Sequence, residues 1–224
     1  DATGKLIVVD GVYSMEGDIA KLPELVQLAR KYEAGLIVDD AHAIGVLGPN
    51  GEGTAHHFGL TDQVDLILGT FSKSLASIGG YVGGSHEIIS YLKHHARSLI
   101  FSASMAPASV AAVRTALEII RTEPDRVQRL WDNTNYRKKG LLELGFDLGE
   151  SETPILPVLI GDTLDCFKFW RALHDAGIFV NPVIAPATPP DRALIRVSIM
   201  ATHTQEHCDM ALDAFEKIGK ALNI

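Results

Sequence analysis

The chain has 224 residues, 46% of them apolar, which is enough for one large globular domain or two small ones. A formal net charge of −8 argues against general nucleic-acid binding, because such binding depends on clustered Lys and Arg side chains. No apolar window reaches the length of a membrane span, and no secretion leader is recognisable. We therefore expect a cytoplasmic protein.

The two cysteines, Cys166 and Cys208, lie far apart and have no metal-ligand partners at a fixed spacing. The sequence therefore predicts neither a disulfide framework nor a metal site, in agreement with a reducing compartment. The chain also begins without Met and enters an apolar run almost at once. We expect it to be a fragment of a longer protein.

The first half of the chain alternates short apolar runs with a helix and long loops. Residues 5–9 (KLIVV) predict a strand buried on both faces, and Pro23 marks the first turn of a helix. The runs GLIVDD and VDLILGT predict two more buried strands. Long connections between strands predict parallel pairing, so the polar residues that follow the strands share one sheet edge, where ligands bind.

The second half begins with helices, predicted over about 86–97, 106–122 and 125–144. Strands PILPVLI, IFVNPVI and LIRVSIM follow, with a helix near 163–176 and a terminal helix that starts at Thr204. We predict an α/β protein in which residues 1–122 belong to a large domain. Residues 123–224 form a smaller C-terminal α/β domain with a mixed or antiparallel sheet.

Polar side chains gather after the first three predicted strands. In chain order they are Ser14; then Asp39, Asp40 and His42; then Thr70, Ser72 and Lys73. Each alone has an ordinary explanation as a cap, a turn residue or a solvated side chain. Together, the 34 residues from Asp39 to Lys73 place a carboxylate and an amine on one ligand edge. Gly79 and Gly80 permit close approach to an anionic group such as phosphate.

A carboxylate and a lysine around a small phosphorylated ring are what pyridoxal phosphate requires. Lysine forms a Schiff base with the cofactor aldehyde, and the carboxylate keeps the pyridine nitrogen protonated so that the ring accepts electrons. Arginine could not replace the lysine, because its guanidinium does not lose its proton. His42, three residues after Asp39, could bond to the ring or stack near it. We therefore predict pyridoxal phosphate as the cofactor.

Five stretches of the sequence resemble the α-oxoamine synthases, pyridoxal phosphate enzymes of fold type I that condense an amino acid with an acyl-CoA. They are DGVYSMEGD, VDDAHAIGVLGPNGEG, GTFSKSLASIGG, FSASMAP and LIRVSIMATHT. The resemblance covers nearly the whole chain and implies a three-layer fold. Residues 1–122 would be the second half of the cofactor-binding large domain, and the family's amino-terminal part has no counterpart here.

The resemblance also implies roles for three catalytic residues. Lys73 would bind the cofactor as the Schiff base, Asp39 would face the pyridine nitrogen, and His42 would contact the phenolic oxygen of the ring. Two hydroxyl residues, Ser14 and Thr70, would help to hold the cofactor.

Three further residues complete the predicted site. Ser72 precedes the lysine and is expected to bind the cofactor. In this family the active site lies across a homodimer interface, so Ser102 would reach the cofactor phosphate of the partner subunit. Arg196 would bind the amino-acid carboxylate through its planar, bidentate guanidinium.

The substrates that the resemblance favours are L-serine and palmitoyl-CoA, which would give 3-ketosphinganine in sphingolipid synthesis. Alternatives within the family are alanine with a pimeloyl thioester, for biotin synthesis, and glycine with acetyl-CoA. Ile184 precedes the segment APATPP, where some serine-using members carry an arginine. A lipid-like product makes peripheral contact with a membrane plausible.

Two other classes of function compete with this prediction. The acidic residues after the second strand are also found in receiver-like phosphoacceptor domains, but those are about half this length and their lysine lies much further along the chain. A non-catalytic subunit of the same fold is the second alternative. The presence of both Lys73 and Asp39 argues against it.

Overall fold

The computed structural model describes residues 4–224, which form two compact units. Of the described residues, 4–12 and 19–124 form the first unit, whereas 13–18 and 125–224 form the second. Residues 1–3, the start of the predicted large domain, lie outside the described residues. The division into functional domains 1–122 and 123–224 stays a prediction. That prediction did not place residues 13–18 with the second unit.

The first unit is built on a four-stranded sheet. Its strands are β1 (Leu6–Asp10), β2 (Gly35–Asp39), β3 (Leu66–Thr70) and β4 (Gly80–Gly84). The order is β1-β2-β3-β4; the first two pairings are parallel, as predicted, and β3 pairs with β4 in antiparallel orientation. The sequence did not predict β4, because three of its five residues are glycine and glycine-rich runs indicate loops.

Five α-helices and one 3₁₀ turn accompany this sheet in the described residues. They are α1 (Leu22–Tyr32), α2 (Thr54–His57), a 3₁₀ turn (Thr61–Gln63), α3 (His86–His95), α4 (Arg97–Ile100) and α5 (Pro107–Thr122). The single helix predicted over 86–97 is divided at Ala96, which has an extended backbone with ψ of 102°. Among the described residues, no helix combines the length and apolarity needed to cross a bilayer.

The core of the first unit lies between β2 and α1. Leu36 and Val38 are fully buried and pack against Leu22, Val26 and Ala29, which lie on one face of α1. This spacing of three and four residues gives α1 an apolar stripe that matches the buried face of the sheet. Burial of apolar surface here stabilises the strand that ends in the candidate site.

Strand β1 differs from the prediction. Leu6 and Val8 are 70% and 64% exposed, whereas Ile7 and Val9 pack against the core of the first unit. The prediction that this strand is buried on both faces is therefore wrong for the described structure. The face of β1 that carries Leu6 and Val8 is not covered by the other described residues.

The second unit contains a three-stranded antiparallel sheet with three helices. The elements are α6 (Asp125–Glu143), β5 (Ile155–Gly161), α7 (Thr163–Asp175), β6 (Asn181–Val183), β7 (Ala193–Ser198) and α8 (Gln205–Leu222). The strand order β5-β7-β6 and the three helices confirm the predicted elements. Phe146, Phe169 and Phe215 form an aromatic cluster with ring centroids 5.4 to 5.9 Å apart.

Two histidines accept hydrogen bonds from backbone N–H groups near the start of α8. Met200 N donates to Nδ1 of His203 at 3.3 Å, and Thr204 N donates to Nδ1 of His207 at 3.2 Å. Both contacts require an unprotonated Nδ1. Burial, together with the charges of Arg137 and His207, lowers the pKa of His203.

We expect the second unit to lose stability as the pH falls below about 6.5, the ordinary pKa of histidine. The unfolded chain takes up the proton there, whereas folded His203 takes it up only at lower pH, so the folded state is disfavoured. Urea unfolding above and below this pH would measure the loss, which should be smaller in His203→Gln. The exposed His86 provides a control, because His86→Gln should leave the loss unchanged; an equal loss in all three proteins would contradict the expectation.

Candidate active site

Asp39 is the last residue of β2 and lies at the carboxyl edge of the parallel strands. In register it stands beside Asp10 of β1 and Leu68 of β3. Its carbonyl accepts a hydrogen bond from Gly11 N at 2.8 Å, and its Oδ1 accepts one from Ala41 N at 2.9 Å. The half-buried carboxylate is therefore held by its own turn and by the neighbouring strand.

Thr70 ends β3 and organises the loop that follows. Its Oγ1 shares a hydrogen bond of 2.9 Å with Ser72 Oγ, accepts one from Ser72 N and donates to Gly79 O at 3.2 Å. Thr70 and Ser72 thus form a hydroxyl cluster at the strand end, as predicted. Gly79 has φ of 119°, and a Cβ there would lie 2.1 Å from the sulfur of Met105, so the loop requires glycine at this position.

Lys73 lies within this loop, with an exposed side chain. Its carbonyl accepts a hydrogen bond from Ala76 N at 3.0 Å, while Leu75 is only 2% exposed and anchors the loop in the core. Phe71 N donates to Gly79 O at 3.0 Å and closes the loop at its base. The amine is thus presented by a loop whose ends are fixed in the sheet.

A hydrogen bond joins the loop of Lys73 to the loop that follows Asp39. Ser74 Oγ donates to Ile44 O at 2.7 Å, and Ile44 lies two residues after the half-buried His42. A Cβ on Gly45 would lie 2.8 Å from the Ser74 Cβ, so glycine permits this close approach. The structure therefore brings the loops that carry five predicted site residues to one edge: Asp39, His42, Thr70, Ser72 and Lys73.

Ser102 follows α4 and is exposed. Its hydroxyl donates to Ser98 O at 2.5 Å, within its own helical turn. The described contacts of Ser102 therefore do not link it to Asp39 or Lys73 within one chain. The predicted contact with the cofactor of a partner subunit stays a prediction.

Ser14 and Arg196 both belong to the second unit. Arg196 lies on β7, where its Nε donates to Ser14 O at 2.6 Å and its guanidinium also donates to Ser198 Oγ at 2.5 Å. Burial lowers the pKa of this half-buried guanidinium. The contact between Ser14 and Arg196 was not predicted, because 182 residues separate them and no local pattern reports such a pairing.

Sequence reasoning also missed Tyr81, the second residue of β4. Its ring lies against Gly69 and stacks on Phe71 with centroids 5.9 Å apart. Burial, reinforced by the carboxylates of Asp40 and Asp39, raises the pKa of Tyr81 to about 12. The only sequence signal for this strand was the pair of β-favouring residues, Tyr and Val, between glycines.

The donor set at this edge fits pyridoxal phosphate. It offers an exposed primary amine, a half-buried carboxylate on the neighbouring strand end, and two hydroxyl groups near a glycine loop. These are the groups needed to bind an aldehyde, oppose a protonated ring nitrogen and donate to a phosphate. Among the described residues, no group of three or more His, Cys, Asp or Glu side chains is placed to hold a metal ion.

Comparison with known proteins gives two kinds of sequence relative. One is a serine palmitoyltransferase of Sphingobacterium spiritivorum, 56% identical over 99% of this chain and 56% of the relative. The other is an 8-amino-7-oxononanoate synthase of Thermoanaerobacter pseudethanolicus, 49% identical over 98% of this chain and 56% of the relative. The chain thus spans little more than half the length of these curated relatives.

The fold is also similar to solved structures. A serine palmitoyltransferase with the pyridoxal phosphate internal aldimine matches with a TM-score of 0.94 and 39% identity, over 98% of this chain and 56% of that one. This similarity confirms the predicted α/β architecture of fold type I. A profile of the family "Aminotransferase class I and II" matches residues 1–215. The chain therefore belongs to the class I and II aminotransferase family, and the resemblance to the α-oxoamine synthases is confirmed.

Proposed function

We propose that this chain carries the cofactor and amino-acid sites of a serine palmitoyltransferase, which condenses L-serine with palmitoyl-CoA to 3-ketosphinganine, with loss of CoA and carbon dioxide. The observation that carries the proposal is the joining of the Lys73 loop to the loop after Asp39 at one sheet edge. Pyridoxal phosphate, when bound, supplies an electron sink for the carbanion at the substrate α-carbon.

Lys73 and Asp39 have separate tasks in this proposal. Lys73 Nζ would hold the cofactor through its aldehyde, and the same amine would remove the proton from the substrate α-carbon. Asp39 holds a negative charge against the ring nitrogen, which favours delocalisation of the carbanion. His42 orients the ring through its phenolic oxygen.

The remaining predicted residues bind rather than react. Thr70, Ser72 and Ser14 help to hold the cofactor, and Ser102 donates to the cofactor phosphate of a partner subunit in a homodimer. Arg196 binds the carboxylate of the amino acid, for which a planar guanidinium supplies two parallel donors. Residues 1–122 and 123–224 are the corresponding parts of the large and small domains.

The proposed enzyme acts in the cytoplasm and touches a membrane only peripherally, where its lipid-like product would leave. The choice of L-serine rests on identity: the matched relatives named serine palmitoyltransferase are 51% to 56% identical, against 45% to 51% for those named 8-amino-7-oxononanoate synthase. The second candidate is therefore condensation of alanine with a pimeloyl thioester. Ile184 favours it, because some serine-using members carry arginine at that place.

A substrate screen tests the proposal. The holoenzyme is incubated with serine, alanine or glycine, each paired with acetyl-CoA, pimeloyl-CoA and palmitoyl-CoA, and release of CoA is followed together with the mass of the amino ketone. We expect serine with palmitoyl-CoA to give the highest kcat/KM. Preference for alanine with pimeloyl-CoA would replace the proposal with the second candidate, and preference for glycine with acetyl-CoA would indicate a glycine C-acetyltransferase.

A further inference from the structure

Three neighbouring residues, Asp40, Gly69 and Tyr81, lie side by side across the strand ends next to the candidate site. Gly69 of β3 pairs with Tyr81 of β4, and Asp40, directly after β2, donates its backbone N–H to Leu68 O at 2.8 Å. Successive residues of a strand point to opposite faces of a sheet, so Asp40 faces away from Asp39. The side chain of Asp40 is 1% exposed.

Tyr81 reaches across β3 toward Asp40. A Cβ on Gly69 would lie 2.3 Å from the Tyr81 ring, so the absence of a side chain at position 69 leaves room for the phenol. Burial is the largest cause of the raised pKa of Tyr81. The charge of Asp40 is the second cause, and the charge of Asp39 is the third. Tyr81 and the adjacent Asp39 are thus the titratable groups whose charges interact with Asp40.

Asp40 contacts Thr54, the first residue of α2. Its Oδ2 accepts a hydrogen bond from Thr54 N at 3.0 Å, and a Cβ on Gly53 would lie 2.3 Å from that oxygen. The short helix α2 has no side-chain cap from its own N-cap residue, Gly53. Asp40 therefore replaces the missing cap from a distant part of the chain.

Oδ1 of Asp40 and Oγ1 of Thr54 are among the buried oxygens that have no hydrogen-bond partner in the described residues. A Cβ built on Gly11 would lie 2.3 Å from the first and 2.2 Å from the second. Both distances start from the same point, so the two oxygens cannot be further apart than their sum, about 4.5 Å. A small side-chain rotation would let them share a hydrogen bond, which removes the cost of two unpaired buried groups.

The surroundings of Asp40 act on its pKa in both directions. Burial raises the pKa of Asp40, and the charge of Asp39 acts in the same direction, while the side chain and backbone N–H of Thr54 oppose the rise. After a small rotation Oδ1 shares one hydrogen bond with Thr54 Oγ1, while Oδ2 continues to accept from Thr54 N.

We propose that Asp40 is a positioning residue: hydrogen-bonded to Thr54, it fixes the end of β2 so that Asp39 presents its carboxylate on the opposite, ligand-facing side. This inference rests on the proposed role of Asp39 toward the cofactor. The backbone of Asp39 is held by Gly11 N at 2.8 Å, and Gly11 also borders both buried oxygens. The two adjacent acids thus have different tasks: Asp39 faces the ligand side, and Asp40 holds the strand end in place.

The test compares Asp40→Asn with Asp40→Ala in the holoenzyme, with titration by pyridoxal phosphate and the visible absorption of the bound cofactor as readouts. Asparagine keeps both contacts, because its carbonyl accepts from Thr54 N and its amide donates to Thr54 Oγ1. We expect Asp40→Asn to bind the cofactor within about 3-fold of the wild type, and Asp40→Ala at least about 10-fold more weakly, with a shifted absorption maximum.

Asp65 provides a matched control. It also accepts a hydrogen bond from a backbone N–H, that of Leu36 in β2 at 2.7 Å, but is exposed and away from the carboxyl edge. Asp65→Asn and Asp65→Ala should both leave the cofactor absorption unchanged. If Asp40→Ala does not fold, Thr54→Val against Thr54→Ser tests the same contact, with loss of cofactor affinity expected only in the valine variant.

Two results would overturn the proposal. Asp40→Asn as damaging as Asp40→Ala would mean that the charge of Asp40 matters, rather than its hydrogen bonds to Thr54. Wild-type absorption and affinity in both Asp40→Ala and Thr54→Val would mean that the contact positions nothing. Failure to condense serine would bear on the proposed function alone, because the readouts here are cofactor affinity and absorption.

Discussion

Replacement of Lys73 by alanine should abolish covalent retention of pyridoxal phosphate and lower kcat by at least about 10³-fold. The reason is that the amine at the tip of the loop after β3 acts both as the covalent attachment point and as the base. Reduction of the holoenzyme with borohydride, followed by mass spectrometry, should find a pyridoxyl group on the Lys73 peptide of the wild type and on no peptide of the variant.

Two variants control this experiment. Lys73→Arg retains the positive charge but cannot form the Schiff base, so it should fail as fully as the alanine variant. Lys21→Ala removes an exposed lysine from the start of α1 in the same unit and should leave labelling and turnover unchanged. A pyridoxyl group on a different lysine of the wild-type protein would refute the assignment.

Asp39→Asn should have the second largest effect, a fall in kcat of about 10²-fold to 10³-fold. The substitution removes the negative charge opposite the ring nitrogen, and loss of one partner of such a charge pair costs about 2–5 kcal/mol. The variant should still fold, because the asparagine carbonyl can accept the hydrogen bond that Ala41 N donates to Oδ1. Turnover measures the fall in kcat, and the visible absorption of the bound cofactor shows whether the folded variant still binds it.

Asp10 is the matched control for Asp39. It ends β1 at the same edge of the sheet, stands beside Asp39 in the strand register and is exposed. Asp10→Asn changes the net charge by the same amount and should alter turnover by less than about 3-fold. Equal losses in both variants would indicate a general electrostatic effect at this edge, with no specific contact to the ring nitrogen.

The parallel strands and the residues at their carboxyl ends could be predicted from the sequence. Apolar runs such as GLIVD indicate buried strands, and long connections leave parallel pairing as the ordinary outcome, so Asp39 and Lys73 were assigned to one edge. The helices of the second unit could be predicted equally well, since Asp162 and Thr204, both favourable N-cap residues, directly precede α7 and α8.

Other features depend on contacts between distant residues and leave no local pattern. β4 is stabilised as a strand by its ladder with β3, although three of its five residues favour turns. The burial of Asp40 against Thr54 and the contact of Arg196 with Ser14 likewise appear only when the chain is folded. Exposure of Leu6 and Val8 on β1 also could not be predicted, because an apolar run does not reveal which face of a strand the rest of the chain covers.

The antiparallel return of β4 beside β3 makes the Lys73 segment a hairpin loop with both ends in one ladder. A lysine released from a covalent bond on such a loop cannot diffuse away, so it meets its next partner as an intramolecular reagent. Well-oriented groups of this kind reach effective molarities of about 10⁵–10⁸ M. The unpredicted fourth strand would thereby let one side chain serve in turn as anchor and as base.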